Sequence, residues 1–281
     1  MGTAAKISGV EPSAINKVDG VAISSVAKVN YQTISLFSND SAFDFDGSND
    51  YFTFGNSSEL MTTEFSLSIW VKSSNWTTWD VIVARDILWN GSNSPHNQGW
   101  KLMVKDLGGA EGQSIQLRHS NASSGPSFSV SGNLSTDTWY HIATTYDPDA
   151  SGGTGKIYLD GTLKDTETSM ALVFTDLSGT NFLVGARNQD TGGGAGKDTF
   201  LGVIDEVAYY NVALTSGQVS TISSEPKDLA SISPSPTHWW RMGDDSGDVF
   251  AGGTWTAVDQ VGSLDGTGTN MASDDKVTGA S

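Results

Sequence analysis

From residue 37 to residue 225 the chain alternates between apolar and polar positions in short runs. In Phe65-Ser66-Leu67-Ser68-Ile69-Trp70-Val71 the odd positions are apolar, a period of two that gives a strand one core-facing side. Ala42 to Asp46 and Tyr51 to Phe54 flank a Gly-Ser-Asn turn. Trp139 to Tyr146 and Lys156 to Leu159 follow, and Asp160-Gly161 is the dipeptide of a two-residue hairpin. Asn181 to Gly185 and Val203 to Tyr210 complete the set. Asn211 to Ile222 reads as a closing turn and a short helix with Thr215 or Ser216 as N-cap. Strands at this spacing, with turns between them, predict an all-β sandwich or barrel. Trp70, Trp100 and Trp139 fall in the strand patterns and are expected in the core.

The flanks break this pattern. Residues 1–36 carry an eleven-residue repeat: Lys6-Ile7-Ser8-Gly9-Val10 recurs as Lys17-Val18-Asp19-Gly20-Val21 and loosely as Lys28-Val29-Asn30-Tyr31-Gln32. Each unit is a short β-prone stretch and a turn, and three such units bury little surface unless they stack on neighbours. Lys6, Lys17 and Lys28 with Val18 and Val29 are therefore the expected anchoring residues of an arm that packs on another subunit or a larger assembly. Residues 226–281 open on Ser233-Pro234-Ser235-Pro236, a linker signal. His238-Trp239-Trp240-Arg241-Met242-Gly243-Asp244 and a Gly- and Asp-rich tail follow. This segment is too short for its own core and too aromatic for simple disorder, so it is expected to pack on the sandwich or on a neighbour.

Charge narrows the partners. Thirty-two acids against 15 bases give a net charge of −17, which repels phosphate backbones and argues against nucleic acid. Acidic loops suit a hard cation such as calcium. The chain contains no cysteine, so disulfides, thiolate metal sites and cysteine nucleophiles are excluded. Residues 1–17 hold no apolar h-region, so they do not read as a signal peptide, and no apolar run reaches the length of a membrane span.

Ser41-Ala42-Phe43-Asp44-Phe45-Asp46-Gly47-Ser48-Asn49-Asp50-Tyr51-Phe52, the strand Phe65–Val71, Thr138-Trp139-Tyr140-His141-Ile142-Ala143, Ile157-Tyr158-Leu159-Asp160-Gly161 and Gly202-Val203-Ile204-Asp205-Glu206-Val207-Ala208-Tyr209-Tyr210-Asn211 stand in that order. Together they resemble laminin-G-like, concanavalin A-like jelly-roll modules over residues 37–225. The resemblance implies an antiparallel jelly-roll sandwich. The repeated arm and the Trp-Arg-Met-Gly-Asp segment resemble extensions on jelly-roll structural proteins of tailed bacteriophages, marine ones especially. In many laminin-G-like modules a Trp-x-Phe-Asp leader precedes the Phe-Asp-Gly strand. Here Trp240-Arg241-Met242-Gly243-Asp244 follows the domain, so the leader is either permuted, supplying strands from the C-terminal side, or packs on a neighbouring subunit.

Asp205 is the most informative single residue. Simple alternation puts it on one face with Val203, Val207 and Tyr209, and an acid on an apolar face needs hydrogen bonds or a metal. It accepts N–H groups of the 46–50 turn, or it ligates calcium together with Asp46 or Asp50. The resemblance implies the second, since many such modules hold calcium there. Trp76, Trp79 and Trp89 lie in or beside a polar stretch that includes Asn97. Aromatic faces beside amides suit sugar rings, and ordinary loop packing is the alternative. Catalysis finds little support: Asp205 and Glu206 are expected on opposite faces, the four histidines show no zinc spacing, and no Gly-x-Ser-x-Gly elbow occurs. The expectation is a non-enzymatic virion protein, a head decoration or tail appendage. It would be assembled in the host cytoplasm as a homo-oligomer among other virion proteins and would hold host glycans weakly through many copies. A free-standing lectin or adhesin and a glycan-cleaving enzyme of the same fold are the alternatives.

Overall fold

The computed structural model describes residues 17–18, 21–22, 37–76, 79–87, 98–106, 113–119, 127–131, 134–170, 172, 180–188 and 196–280. The chain divides into two units, Met1–Ser38 and Asn39–Ser281. In the first, strands β1 (Lys17–Val18) and β2 (Val21–Ala22) pair antiparallel. The Asp19-Gly20 turn expected of the middle repeat lies outside the described residues. Lys6, Lys28 and Val29 lie outside the described residues.

The second unit is built almost wholly from strands. In chain order they are β3 (Ser41–Asp46), β4 (Tyr51–Thr53), β5 (Phe65–Lys72), β6 (Val81–Ile87), β7 (Gln98–Asp106), β8 (Gln113–His119) and β9 (Ser127–Ser131). Next come β10 (Tyr140–Asp147), β11 (Thr154–Leu159), β12 (Thr162–Thr168), β13 (Leu183–Val184) and β14 (Leu201–Tyr210). After helix α1 (Ser216–Ile222) the chain adds β15 (His238–Trp240), β16 (Phe250–Ala251), β17 (Thr254–Ala257), β18 (Gly266–Thr269) and β19 (Lys276–Thr278). One sheet runs β12-β11-β10-β5-β14-β3-β19, with β15 also paired to β14. The other runs β16-β17-β18-β4-β13-β6-β7-β8-β9. Every strand pairing among the described residues is antiparallel, so this unit is an antiparallel β-sandwich.

Local signals act as their chemistry requires. Asp160 and Gly161 turn the β11–β12 hairpin with φ of 47° and 72°, the left-handed pair a two-residue turn needs. Thr215 caps α1 in a full capping box with Gln218. Phe65, Leu67, Ile69 and Val71 all point into the core. The same alternation puts Trp70 on the outer face, where it is only partly covered and meets His141 edge-on at 5.2 Å. Trp139 is half-buried too. The core assignment therefore holds for Trp100, which is fully buried, and fails for Trp70 and Trp139.

The C-terminal segment is part of this sandwich. β15 pairs with the second half of β14 (Tyr209 opposite His238), β18 pairs with β4, and β19 pairs with β3. Trp240 sits at the centre of an aromatic chain, 4.2 Å from Phe54 and 5.6 Å from Phe182 between ring centroids, and Phe182 continues to Trp100. Gly266 of β18 lies against the Phe54 ring, where a Cβ would stand 2.3 Å from a ring carbon. Such close passage explains glycine in a strand.

Asp259 fixes the turn between β17 and β18. Its carboxylate is 2.6 Å from His238 Nδ1 and accepts N–H groups of Trp239, Val261, Gly262 and Leu264 at 2.9–3.2 Å. Burial alone would raise this carboxyl, but the His238 contact and the N–H donors outweigh it and hold it below the usual range. Its contribution is therefore full above the usual carboxylate range and disappears as pH falls below about 4. Asp259→Ala at neutral pH should cost about 3 kcal/mol, because four N–H groups and an imidazole lose their acceptor. A urea midpoint unchanged from wild type would refute this role.

Candidate metal centre

Strand β14 carries the irregularity that builds the site. Leu201 to Ile204 pair with β3, Val207 to Tyr209 pair with β15, and the register against β5 slips between Asp205 and Ala208. Glu206 occupies the bulge with φ at 50°, a left-handed geometry uncommon outside glycine. One extra residue resets the alternation. Asp205 stays on the outer side with Val203, while Val207 and Tyr209 turn into the core. The expected sharing of one face by Asp205, Val207 and Tyr209 is thus corrected. So is the placing of Asp205 and Glu206 on opposite faces, for one carboxylate oxygen each of Asp205, Glu206 and Asp244 lies within 4.8 Å of the others.

Each acid is held by the chain around it. Asp205 Oδ2 accepts the Asn39 side-chain amide at 2.7 Å and the Ala280 N–H at 2.8 Å. Glu206 accepts Trp239 Nε1–H at 2.5 Å and Arg241 Nε–H at 3.3 Å. Asp244 accepts the Asp40 N–H at 3.0 Å, and the Arg241 guanidinium lies 3.5 Å from its other oxygen. Arg241 also faces the Trp239 ring at 5.7 Å. The centre therefore ties residues 39–40, β14, the 239–244 segment and residue 280 together.

The donor set fits a hard cation. Asp205 Oδ1, Asp244 Oδ2 and Asn39 Oδ1 are buried and, among the described residues, have no hydrogen-bond partner. Three carboxylates face a single guanidinium, so the ionised cluster keeps an excess of negative charge. Burial pushes Asp205 up to about 7, and burial together with the Asp205 charge pushes Glu206 well above its usual value. Asp244 is raised by burial as well. Oxygen-rich, negatively charged and partly unpartnered is what calcium takes.

The structure does not bring Asp46 and Asp50 to this centre. Asp46 is opposite Leu201 on β14, four residues from Asp205, or about 13 Å along the strand. The turn instead closes on itself: Asp50 accepts the Asp46 N–H at 3.0 Å, and Asp46 accepts the Ser48 and Asn49 N–H groups. Burial and the nearby Asp46 and Asp275 charges raise Asp50 to about 6. The N–H groups bonded to Asp205 come from residue 280 and Asn39, not from the 46–50 turn. The sequence reading missed Asn39 and Asp244. Asp244 stood in the Trp-Arg-Met-Gly-Asp motif, and its position after the domain hid its proximity to Asp205.

Of the expected sugar contacts, Trp76 is buried, with its indole N–H on the Ser135 carbonyl at 3.1 Å and its ring against Tyr140 and Phe200. A ring so covered offers no face to a ligand. Trp79 is different: half exposed, with φ at 78° and Arg118 6.0 Å from its ring. Trp89 and Asn97 lie outside the described residues. No helix among the described residues is long and apolar enough to cross a membrane.

The two antiparallel sheets make this unit a β-sandwich, with the acidic centre on the bulge of β14. A laminin-G family model, described as the concanavalin A-like lectin/glucanases superfamily, matches residues 46–220. The chain belongs to that superfamily. The matched stretch stops before β15–β19, although those strands lie in the same unit. Among solved structures, a candidate carbohydrate-binding protein from Bacteroides ovatus superposes with a TM-score of 0.59 at 20% identity, covering 86% of this chain. This chain spans 62% of the length of that protein. A heptameric SAP-like pentraxin from Limulus polyphemus gives a TM-score of 0.51 at 17% identity, over 85% of this chain and 100% of the pentraxin. At such identities the likeness is one of fold. No curated protein sequence matches the chain.

Proposed function

We propose that this protein is a non-catalytic, glycan-binding sandwich stabilised by calcium at Asn39, Asp205 and Asp244. The observation that carries the reading is the use made of the acidic centre. In a lectin/glucanase fold, its Asp205 and Glu206 carboxylates are buried and bonded to the chain's own N–H groups, indole and guanidinium. Hydrolysis needs two carboxyl groups that flank a bound sugar, whereas these brace the C-terminal segment against β14. The calcium ion supplies charge that balances the cluster, and recognition is left to the outer surface.

The separate N-terminal unit with its repeat supports display on an assembly. The setting we propose is a bacteriophage particle, with the chain as a homo-oligomer among other virion proteins, anchored through Lys6, Lys17, Lys28, Val18 and Val29. Many copies would convert weak glycan contacts into firm adhesion.

A glycan array probed with the full chain, with calcium and with EDTA, tests the binding. Calcium-dependent signals are expected, together with no release of reducing ends from the bound polysaccharides. An array blank under both conditions would overturn the glycan reading, and steady release of reducing ends would establish the enzyme alternative.

A further inference from the structure

The outer face of the first sheet is covered over part of its area. Ile222, Pro226 and Leu229 lie over Ser68 and Trp70, and Ser68 Oγ is 2.8 Å from the fully buried His141. Farther along β5, toward Lys72, a cleft opens on the same face. There Asp44 on β3, Val203 on β14 and Lys72 on β5 stand in one row, since Val203 is in register with both of the others. Paired residues in adjacent strands project to the same face. The acid and the base are therefore separated by the width of two strand spacings, roughly 10 Å, with Val203 as the floor between them.

This row lies in a cleft of about 370 Å³, within the range of small-ligand sites. Ser74 and Asp137 form one side, and Thr278 of β19 forms the other. The Lys72 ammonium lies 4.9 Å from the Trp139 ring, and among the described residues no salt bridge joins Lys72, Asp44 or Asp137 to an opposite charge. Burial raises the Asp44 carboxyl while Lys72 opposes the rise. Polar groups that could have paired with one another are thus held apart across an apolar floor.

We infer that this cleft is the glycan site, and that it takes one neutral or cationic pyranose ring. The inference rests on the glycan-binding reading. A pyranose presents a CH face suited to Val203 and an equatorial rim of hydroxyls that donate to Asp44 and Asp137 and accept from Lys72. Two carboxylates against one ammonium favour a neutral hexose or an amino sugar and disfavour a uronate. The cleft lies two residues along β14 from Asp205, and its Thr278 wall belongs to the strand that leads to Ala280, whose N–H binds Asp205.

Saturation-transfer NMR on the full chain tests it, with methyl glycosides of glucose, galactose, mannose, glucosamine and glucuronic acid as probes. Lys72→Gln, Asp44→Asn and, as a charge-matched control on the exposed face of β12, Lys164→Gln are compared with wild type, each checked for an unchanged melting temperature. Expected are signals for at least one neutral or amino glycoside, none for the glucuronide, and a loss of affinity of about tenfold or more in the Lys72 and Asp44 variants, with Lys164→Gln close to wild type. If wild type gives array and NMR signals that survive both cleft substitutions, the site is wrong while glycan binding stands. Preference for the glucuronide would overturn the ligand class, and a wild type that binds no glycan on the array or in solution would remove the site together with the reading it rests on.

Discussion

A chain ended after Glu225 should fail to fold. Such a chain keeps every residue of the family match but loses β15–β19. Trp239, Trp240, Met242, Trp255 and Met271, all buried, would be gone. Removing a single large buried aromatic costs about 3–5 kcal/mol, and the whole margin of a domain is about 5–15 kcal/mol. The cut would also strip β3 and β4 of one neighbour each and expose their edges to aggregation. Insoluble product, or a soluble product with no cooperative melt, is the expected result. A truncated protein melting near the full chain would show that the C-terminal strands only decorate a finished sandwich. Trp240→Ala is the milder probe and should lower stability by about 3–5 kcal/mol in a urea titration.

In EDTA, the thermal stability of the full chain should fall as pH climbs from about 5 to about 8, and calcium should abolish the fall. The ordinary Asp value is 3.8, and burial carries Asp205 up to about 7 in the folded state. Between those limits the folded chain binds more protons than the unfolded one. Stability from this group is complete below the unfolded value and is lost as pH rises through the folded one. Glu206 is displaced in the same direction, while Asp259, displaced downward, acts only in more acid solution. A cation bound to the ionised centre reverses the preference, and saturating calcium should raise the melting temperature by several degrees near pH 8. Asp205→Asn should flatten the pH profile in EDTA and remove the calcium response together. A profile flat in EDTA and indifferent to calcium would leave the acids as purely structural.

The sandwich was legible because its signals are local. Alternation in β5, the Asp160-Gly161 turn and the Thr215 cap each act over a few residues, and the order of five motifs supplied the topology. The centre was less legible because it depends on one inserted residue and on very distant partners. Nothing in Ile204-Asp205-Glu206-Val207 announces a bulge, and strict alternation therefore separated two acids that the bulge unites. Asn39 and residue 280 come together because β3 and β19 pair, and Asp244 joins them because β15 pairs with β14, contacts between distant parts of the unit that no periodicity encodes. The same gap misplaced Asp46 and Asp50, which stand in and just after the Phe45-Asp46-Gly47 motif, with Asp46 far along the ladder from Asp205. Trp70 shows a smaller lesson: an aromatic at an even position of an odd-faced strand belongs outside, however hydrophobic it is.

The pairing of Ser41 with Thr278 and of Tyr51 with Thr269 also governs when the protein can become itself. On a ribosome β3 and β4 are among the first strands of the unit to emerge, and their partners are among the last. For most of synthesis two aromatic-rich strands wait with open edges, and the sandwich closes only after residue 278 is free. Folding that depends on such remote pairings is slow. Nascent chains should thus need shelter from one another, and cells short of holding chaperones should accumulate this protein as aggregate rather than as a soluble intermediate.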